Sequence, residues 1–196
     1  MTHPKILLRQ ASATIFAALL PCLGGHAQER CQAFNLETLP KREVRAVWLT
    51  TLSNLDWPKG YATTQEGIER QKRQLTEILD RYAEANINTV LFQARVRATT
   101  TYPSALEPWD RCLTGQEGRA PGYDPLRFAI EECHKRGMEI HAWLATIPCG
   151  PWTSLGCRRL RAKGLRLRNL DGAGYLDPSD ERVAPYLASV LSLIHI

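Results

Sequence analysis

Several things are missing from this 196-residue chain, and each absence removes a class of function. It holds no run of the roughly 20 apolar residues needed to cross a bilayer. It has no Gly-x-Gly-x-x-Gly turn and no P-loop, so the usual dinucleotide and nucleoside-triphosphate signatures are absent. No Cys-x-x-Cys or His-x-x-x-His spacing occurs among its 6 Cys and 5 His, which argues against a structural zinc site; no cofactor or metal is expected. Charge of one sign is not in large excess either. The net +5 includes Lys5 and Arg9, which lie in a first stretch of 27 residues that has no acid. Without them 23 basic side chains face 20 acidic ones, a balance of +3 that calls for no nucleic-acid partner. What is present, 44% hydrophobic and 23% charged with 13 Gly and 12 Pro, is the usage of a globular chain.

The first 27 residues read as an export signal. Lys5 and Arg9 precede a short apolar run, Ala13–Leu23, and Gly25-His26-Ala27 supplies small residues at the cleavage positions. Cys22 follows Pro21, whereas lipid attachment wants a small residue there, so a lipoprotein is disfavoured. The expectation is a periplasmic or extracellular protein: signal 1–27, lead-in 28–43, and a folded part 44–196. Five cysteines remain after Cys22 leaves, an odd number, so at least one is unpaired or pairs outside this chain.

From residue 44 the pattern alternates strand, loop and helix. Val44–Thr50, Ile87–Ala94 and Met138–Ala145 are β-type apolar runs. Thr63 and Glu66 fit a capping box ahead of a helix whose apolar face is Ile68, Leu75, Ile78, Leu79, Tyr82 and Ala85, with Asn86 as its stop. Asp124-Pro125 starts a second helix with stripe Leu126, Ala129, Ile130 and Cys133, closed by Gly137. After a loop to about Pro178, Ser179 or Asp180 can cap a third helix. Short returns from helix to strand imply parallel strands covered on both faces. Long loops after strands favour an eight-fold barrel over an open doubly wound sheet, with the working face at the strand C-termini.

Trp57, Trp109 and Trp152 fall in the three loops after the strands, beside Tyr61, Tyr102 and Tyr123, while Trp48 and Trp143 lie in strands. On the expected topology the loop aromatics gather on one rim, where flat rings suit the apolar faces of sugars; the bland alternative is that they pack the loops together. Gln93, Arg95 and Arg97 share one strand face by period two, as do Glu139, His141 and Trp143. Arg95 is either a sugar contact or a structural ion pair. His141 is either a ligand or proton-handling group or a satisfied core histidine. Glu107, Asp110 and Asp177 are the loop carboxylates worth naming, but no convincing catalytic pair stands out, and Asp177-Pro178 also reads as a turn and helix start. A Cys112–Cys157 disulfide across adjacent loops is a candidate, with Cys149 the other choice, and Cys133 reads as a buried thiol. Arg158–Arg168 carries six cations and no acid. It is either a solvated amphipathic segment or an attraction for an anionic glycan, and the absence of aromatics in it argues against single-stranded nucleic acid.

Lys41–Thr50, Tyr102–Trp109, Pro121–Leu126 and Ile130–Trp143, in that order, resemble the glycosyl hydrolase-like 10 family. The resemblance implies an exported bacterial protein with a (β/α)₈ barrel that hydrolyses glycosidic bonds, with cell-envelope glycans such as peptidoglycan the favoured substrate. Two departures stand out. Ala145–Gly150 occupies the place of an Asn-Pro-Tyr-Arg-like string. The family's fourth strand, with Asp-Gly-Ile-His and acidic residues, does not appear before Ile196. The chain is therefore expected to be about three βα units at the N-terminal side of a barrel that takes roughly 250 residues, with the catalytic carboxylates elsewhere. The tail Leu191–Ile196 either resembles sequencing read-through or is an ordinary continuation of the third helix. Gln93, Arg95, Arg97, Tyr102, Glu107, Trp109, His141, Trp143, Trp57 and Asp177 are the residues expected to hold the sugar. The rival reading is a non-catalytic glycan-binding envelope protein on the same scaffold.

Overall fold

The computed structural model describes residues 43–194. The export signal and Cys22, along with Cys31 and all but the last residue of the lead-in, lie outside the described residues. Strand β1 (Ala46–Leu49) is followed by helix α1 (Gln65–Glu84) and strand β2 (Thr89–Arg95). A one-turn helix α2 (Arg111–Thr114), helix α3 (Pro125–Lys135) and strand β3 (Glu139–Leu144) come next. The three strands form a parallel sheet in the order β1-β2-β3, with Trp48 beside Leu91 and Leu91 beside His141.

The period-two pattern of the strands decides which face is covered. Leu49, Val90, Phe92 and Ala94 are buried with Leu75 and Leu79 of α1 and with Leu126, Ala129 and Cys133 of α3. Each fully buried Leu or Phe contributes about 1.5–3 kcal/mol, more than helix propensity supplies, so packing holds α1 and α3 in place. The opposite face is open, which corrects the expectation of cover on both sides. Ala46, Glu139 and His141 are exposed there, and Trp48, still 56% exposed, meets Trp143 edge-on at 4.7 Å.

Most helix punctuation follows the sequence. Asp124 caps α3 by accepting from Arg127 N at 3.1 Å, with Pro125 in its first turn, while Asn86 and Gly137 take the left-handed conformation after α1 and α3. At α1 the cap is Thr64, not Thr63: its hydroxyl accepts from Gly67 N.

The stretch read as a loop up to Pro178 is instead a small second layer. Strand β4 (Pro148–Pro151), helix α4 (Leu155–Ala162), strand β5 (Leu167–Leu170) and strand β6 (Ala173–Leu176) make an antiparallel sheet in the order β4-β6-β5. Four-residue strands, two of them broken by Gly or Pro, carry little periodicity. One local signal was there, however: Asp171-Gly172, both at positive φ, form the two-residue turn of the β5–β6 hairpin. Ala98, Cys149, Cys157, Leu160, Leu165, Leu176 and Val183 form the core of this layer. Gly156 lets the start of α4 close on the Ala98 carbonyl, which a Cβ would meet at 2.6 Å.

Helix α5 (Val183–Leu191) follows, with no side-chain cap at its start. Asp180 and Asp177 serve the preceding turns instead. Asp180 accepts from Arg182 and from Arg166 N (2.8 Å), and Asp177 accepts from the hydroxyl and N–H of Ser179 and from Arg168. These bonds hold both carboxyls below the usual carboxylate range, through Ser179 first for Asp177 and through Arg182 first for Asp180. A depressed folded pKa gives stability that is full above the unfolded value of about 3.9 and is lost as pH falls through the folded one. Asp180→Asn is therefore expected to lower the thermal midpoint at pH 7. The gap to the unsubstituted chain should close in scans taken progressively below pH 4, and a gap that persists would be the contrary result.

Candidate functional site

The C-terminal ends of β1, β2 and β3 and the loops that follow them converge on one groove. Its geometry starts from Gln93 near the end of β2. The Gln93 Oε1 accepts from Thr50 Oγ1 (2.7 Å), Thr51 N (2.9 Å) and Leu52 N (3.0 Å), so one side chain folds the loop after β1 over the sheet. Asn54 Nδ2 then donates to the carbonyls of Pro58 (2.7 Å) and Cys112 (2.8 Å), joining that loop to the one after β2. Beneath them Gln71 of α1 donates to Gly60 O and Leu113 O and accepts from Tyr123 Oη.

Arg95, two residues on, is fully buried. Its Nε and Nη2 donate to the two oxygens of Glu107 at 2.8 and 2.7 Å, and its Nη1 donates to the carbonyls of Ala145 and Thr146. The Tyr186 hydroxyl of α5 donates to Glu107 Oε1 at 2.9 Å. Burial pulls the Arg95 pKa down, but the bond and charge of Glu107 outweigh it and the net direction is up, so the guanidinium stays ionised. The structural alternative for Arg95 is the one realised.

Two cavities open above this base. The larger, about 570 Å³, is lined by Tyr61, Arg97, Asp110, Arg111 and Glu117 among others. The second, about 450 Å³, is lined by Gln93, Arg97, Trp143, Asp171 and Tyr175 among others. Leu52, Val96, Arg97, Gly150 and Pro151 line both. The acids of the larger cavity are already engaged. Asp110 accepts from Cys112 N (2.7 Å) and Thr99 Oγ1, and Glu117 accepts from Leu155 N and Gly156 N, both at 2.9 Å, at the start of α4. Among the described residues no three His, Cys, Asp or Glu side chains gather as metal ligands.

Of the residues expected to hold a sugar, Gln93, Arg97 and Trp143 reach this groove. Trp57 is entirely buried against Phe92 and its Nε1 donates to Gln71 O at 2.8 Å, because the loop after β1 folds inward rather than standing up as a rim. Tyr102 is likewise in the core, and Trp109 packs against it. Glu107 is committed to Arg95, and Asp177 to the turn before α5. His141 stands on the open sheet face 3.5 Å from Glu139, neither lining the cavities nor buried as a core histidine. The Cys112–Cys157 disulfide is not formed: both are free, buried thiols in separate apolar clusters. Cys133 is a buried thiol, its pKa pushed up to about 12 by burial. In the arginine-rich segment Arg161 stacks over the Trp152 ring at 4.1 Å and Arg168 pairs with Asp177, leaving Arg158 and Arg159 exposed on α4. The groove residues Glu117, Gly150, Asp171 and Tyr175 carried no individual signal, since nothing near them in the chain marks that they meet Arg97 or Trp143.

The model of the family described as Glycosyl hydrolase-like 10 matches residues 43–151. The chain belongs to this family. It is similar to Glycosyl hydrolase YngK of Bacillus subtilis (strain 168), at 44% identity over 102 residues, which cover 52% of this chain and 19% of that protein. It is also similar to Glycosyl hydrolase DigH of Escherichia coli (strain K12), at 40% identity over 104 residues, which cover 51% of this chain and 24% of the relative. The matches therefore span about a fifth to a quarter of those proteins. Gln93, Arg97, Trp143 and Gly150 lie inside the family segment, whereas α4, β5, β6 and α5 lie beyond it.

Two substitutions separate anchoring from orphaned groups in this base. Glu107→Ala strands a buried guanidinium and is expected to cost about 3–5 kcal/mol in urea unfolding. The Tyr102 hydroxyl is buried without a hydrogen-bond partner, and burial pushes its pKa up to about 12. Tyr102→Phe is accordingly expected to be neutral or stabilising by up to about 1 kcal/mol, read from the same unfolding curves.

Proposed function

We propose that this chain is the sugar-holding, N-terminal part of an exported glycoside hydrolase built on a (β/α)₈ barrel. On this reading residues 1–27 direct export, β1 to β3 begin the barrel, and the open sheet face with Trp48 and Trp143 is its interior. The favoured substrate is a cell-envelope polysaccharide, with peptidoglycan glycan strands first. The observation that carries the reading is the meeting of all three strand ends in one groove that holds an indole and unengaged hydrogen-bond donors, within the segment matched by the family. Ligand sites of barrels lie at that end of the strands.

The division of labour follows from the acids. Glycosidic bond cleavage uses two carboxyl groups, about 5–5.5 Å apart for retention and about 6.5–9.5 Å apart for inversion, one protonating the leaving oxygen and one serving as nucleophile or base. Asp110 and Glu117 spend their oxygens on the Thr99 hydroxyl and on backbone N–H groups. The residues of this chain then bind and orient the sugar, and the acid–base pair comes from parts of the enzyme that the relatives possess beyond the matched segment.

The test compares the 196-residue chain with a version extended to the length of the relatives, both incubated with peptidoglycan glycan strands. Reducing ends are expected from the longer protein alone. Release by the 196-residue chain would overturn the division of labour. Binding without release by the longer protein would support the non-catalytic glycan-binding alternative.

A further inference from the structure

The second cavity contains an arrangement that the glycan reading does not by itself require. Gln93 is 2% exposed, and its Oε1 is held by two backbone N–H groups and the Thr50 hydroxyl. These donors demand an oxygen at that position, which fixes the amide orientation. The Nε2 must then point the other way, and it meets no acceptor among the described residues although the side chain lines the cavity. The oxygen of this side chain is thus fixed by the fold, while its nitrogen is open to the cavity and free to donate to whatever enters.

Arg97 stands beside it. The backbone at Gly150 has φ +85°, and a Cβ there would meet Arg97 Cβ at 3.4 Å and Cδ at 3.6 Å, so the arginine stem lies along the bare glycine. The guanidinium enters no ion pair and no hydrogen bond among the described residues, and Arg97 lines both cavities. Trp143 adds an aromatic surface to the second cavity, whose one lining acid is Asp171 on the β5–β6 turn. Gln93 Nε2 and the Arg97 fork are donors without acceptors. A neutral hydroxyl can accept from either, but only an ionised carboxylate offers the guanidinium two parallel charge-assisted bonds and still has a lone pair for an amide.

We infer that Gln93, Arg97 and Trp143 form a subsite for a sugar that carries an ionised carboxylate. This rests on the glycan reading above and narrows it to acidic sugars. Arg97 receives the carboxylate, Gln93 Nε2 donates to the same group or to the adjacent ring substituent, and Trp143 packs on the sugar face. Arg95, although it belongs to the same strand, takes no part because Glu107 already occupies it.

The test is equilibrium binding of the 196-residue chain to a hyaluronan hexasaccharide, to the same hexasaccharide with its carboxyls reduced to alcohols, and to neutral chitohexaose. The carboxylated probe is expected to bind at least about tenfold more tightly than its reduced form. That preference should shrink as salt is raised. Arg97→Gln should abolish the difference between the carboxylated and reduced probes, and Arg97→Lys should restore only part of it, having the charge but not the fork. Gln93→Glu, which keeps the accepting oxygen and removes the donor, should weaken the carboxylated probe more than the neutral ones. Equal binding of the carboxylated and reduced probes would overturn the acidic-sugar inference and leave the glycan reading standing. A preference that survives Arg97→Gln would overturn the assignment to this subsite. No binding of any of the three probes would overturn both.

Discussion

The Arg95–Glu107 ion pair is the contact on which the rest of this structure depends. It joins the end of β2 to the loop that follows it and, through the remaining guanidinium nitrogen, to two carbonyls after β3. Tyr186, 79 residues along the chain from Glu107, completes it from α5. Two ionised groups at 0% and 1% exposure survive burial only when nearly every polar atom finds a partner, and here they do. The pair lies where the parallel sheet gives way to the small antiparallel layer, with side-chain hydrogen bonds reaching into both.

That commitment explains why neighbouring residues of one strand face have separate roles. By period two Gln93, Arg95 and Arg97 should point the same way. The register of β2 against β3 shifts between Gln93 and Arg95, and the chain leaves the sheet after Arg95 through Val96 and Ala98, the latter at positive φ. Gln93 thus anchors a loop with its oxygen while its nitrogen is left over, Arg95 is enclosed, and Arg97 is carried out to the boundary between two cavities. The groove is a product of loops secured by buried polar bonds, and its shape depends on those bonds as much as on the apolar core below.

The second layer has a comparable effect on the opposite wall. Its hairpin brings Asp171 and Tyr175 to the second cavity, and β4 brings Gly150 beneath Arg97. Helix α4 takes both oxygens of Glu117 at its first turn, a favourable place for an acid at a helix N-terminus. An acid so employed orders a helix and cannot at the same time serve as a free general base. The groove therefore presents donors and an aromatic surface to a ligand more than it presents carboxylates.

Much of the parallel sheet and its helices could be read from the chain itself. The 3.6-residue face of α1, the Asp124-Pro125 start of α3, the stops at Asn86 and Gly137, and the apolar runs of the three strands are consequences of residues a few positions apart, and so is the block pattern that identifies the family. The fates of Trp57, Arg95 and Cys112 were not legible in that way. Whether an indole is buried depends on Gln71 and Phe92; whether an arginine is free depends on Glu107 and Tyr186; whether two thiols meet depends on which core each joins. The sequence by itself determined the local elements and the family, because periodicity and capping act over one or two turns. Tertiary structure decided which polar groups are spent on the fold and which, like the Arg97 guanidinium and the Gln93 Nε2, find no partner among the described residues, because a buried donor is satisfied only by partners that the folded chain brings from far away.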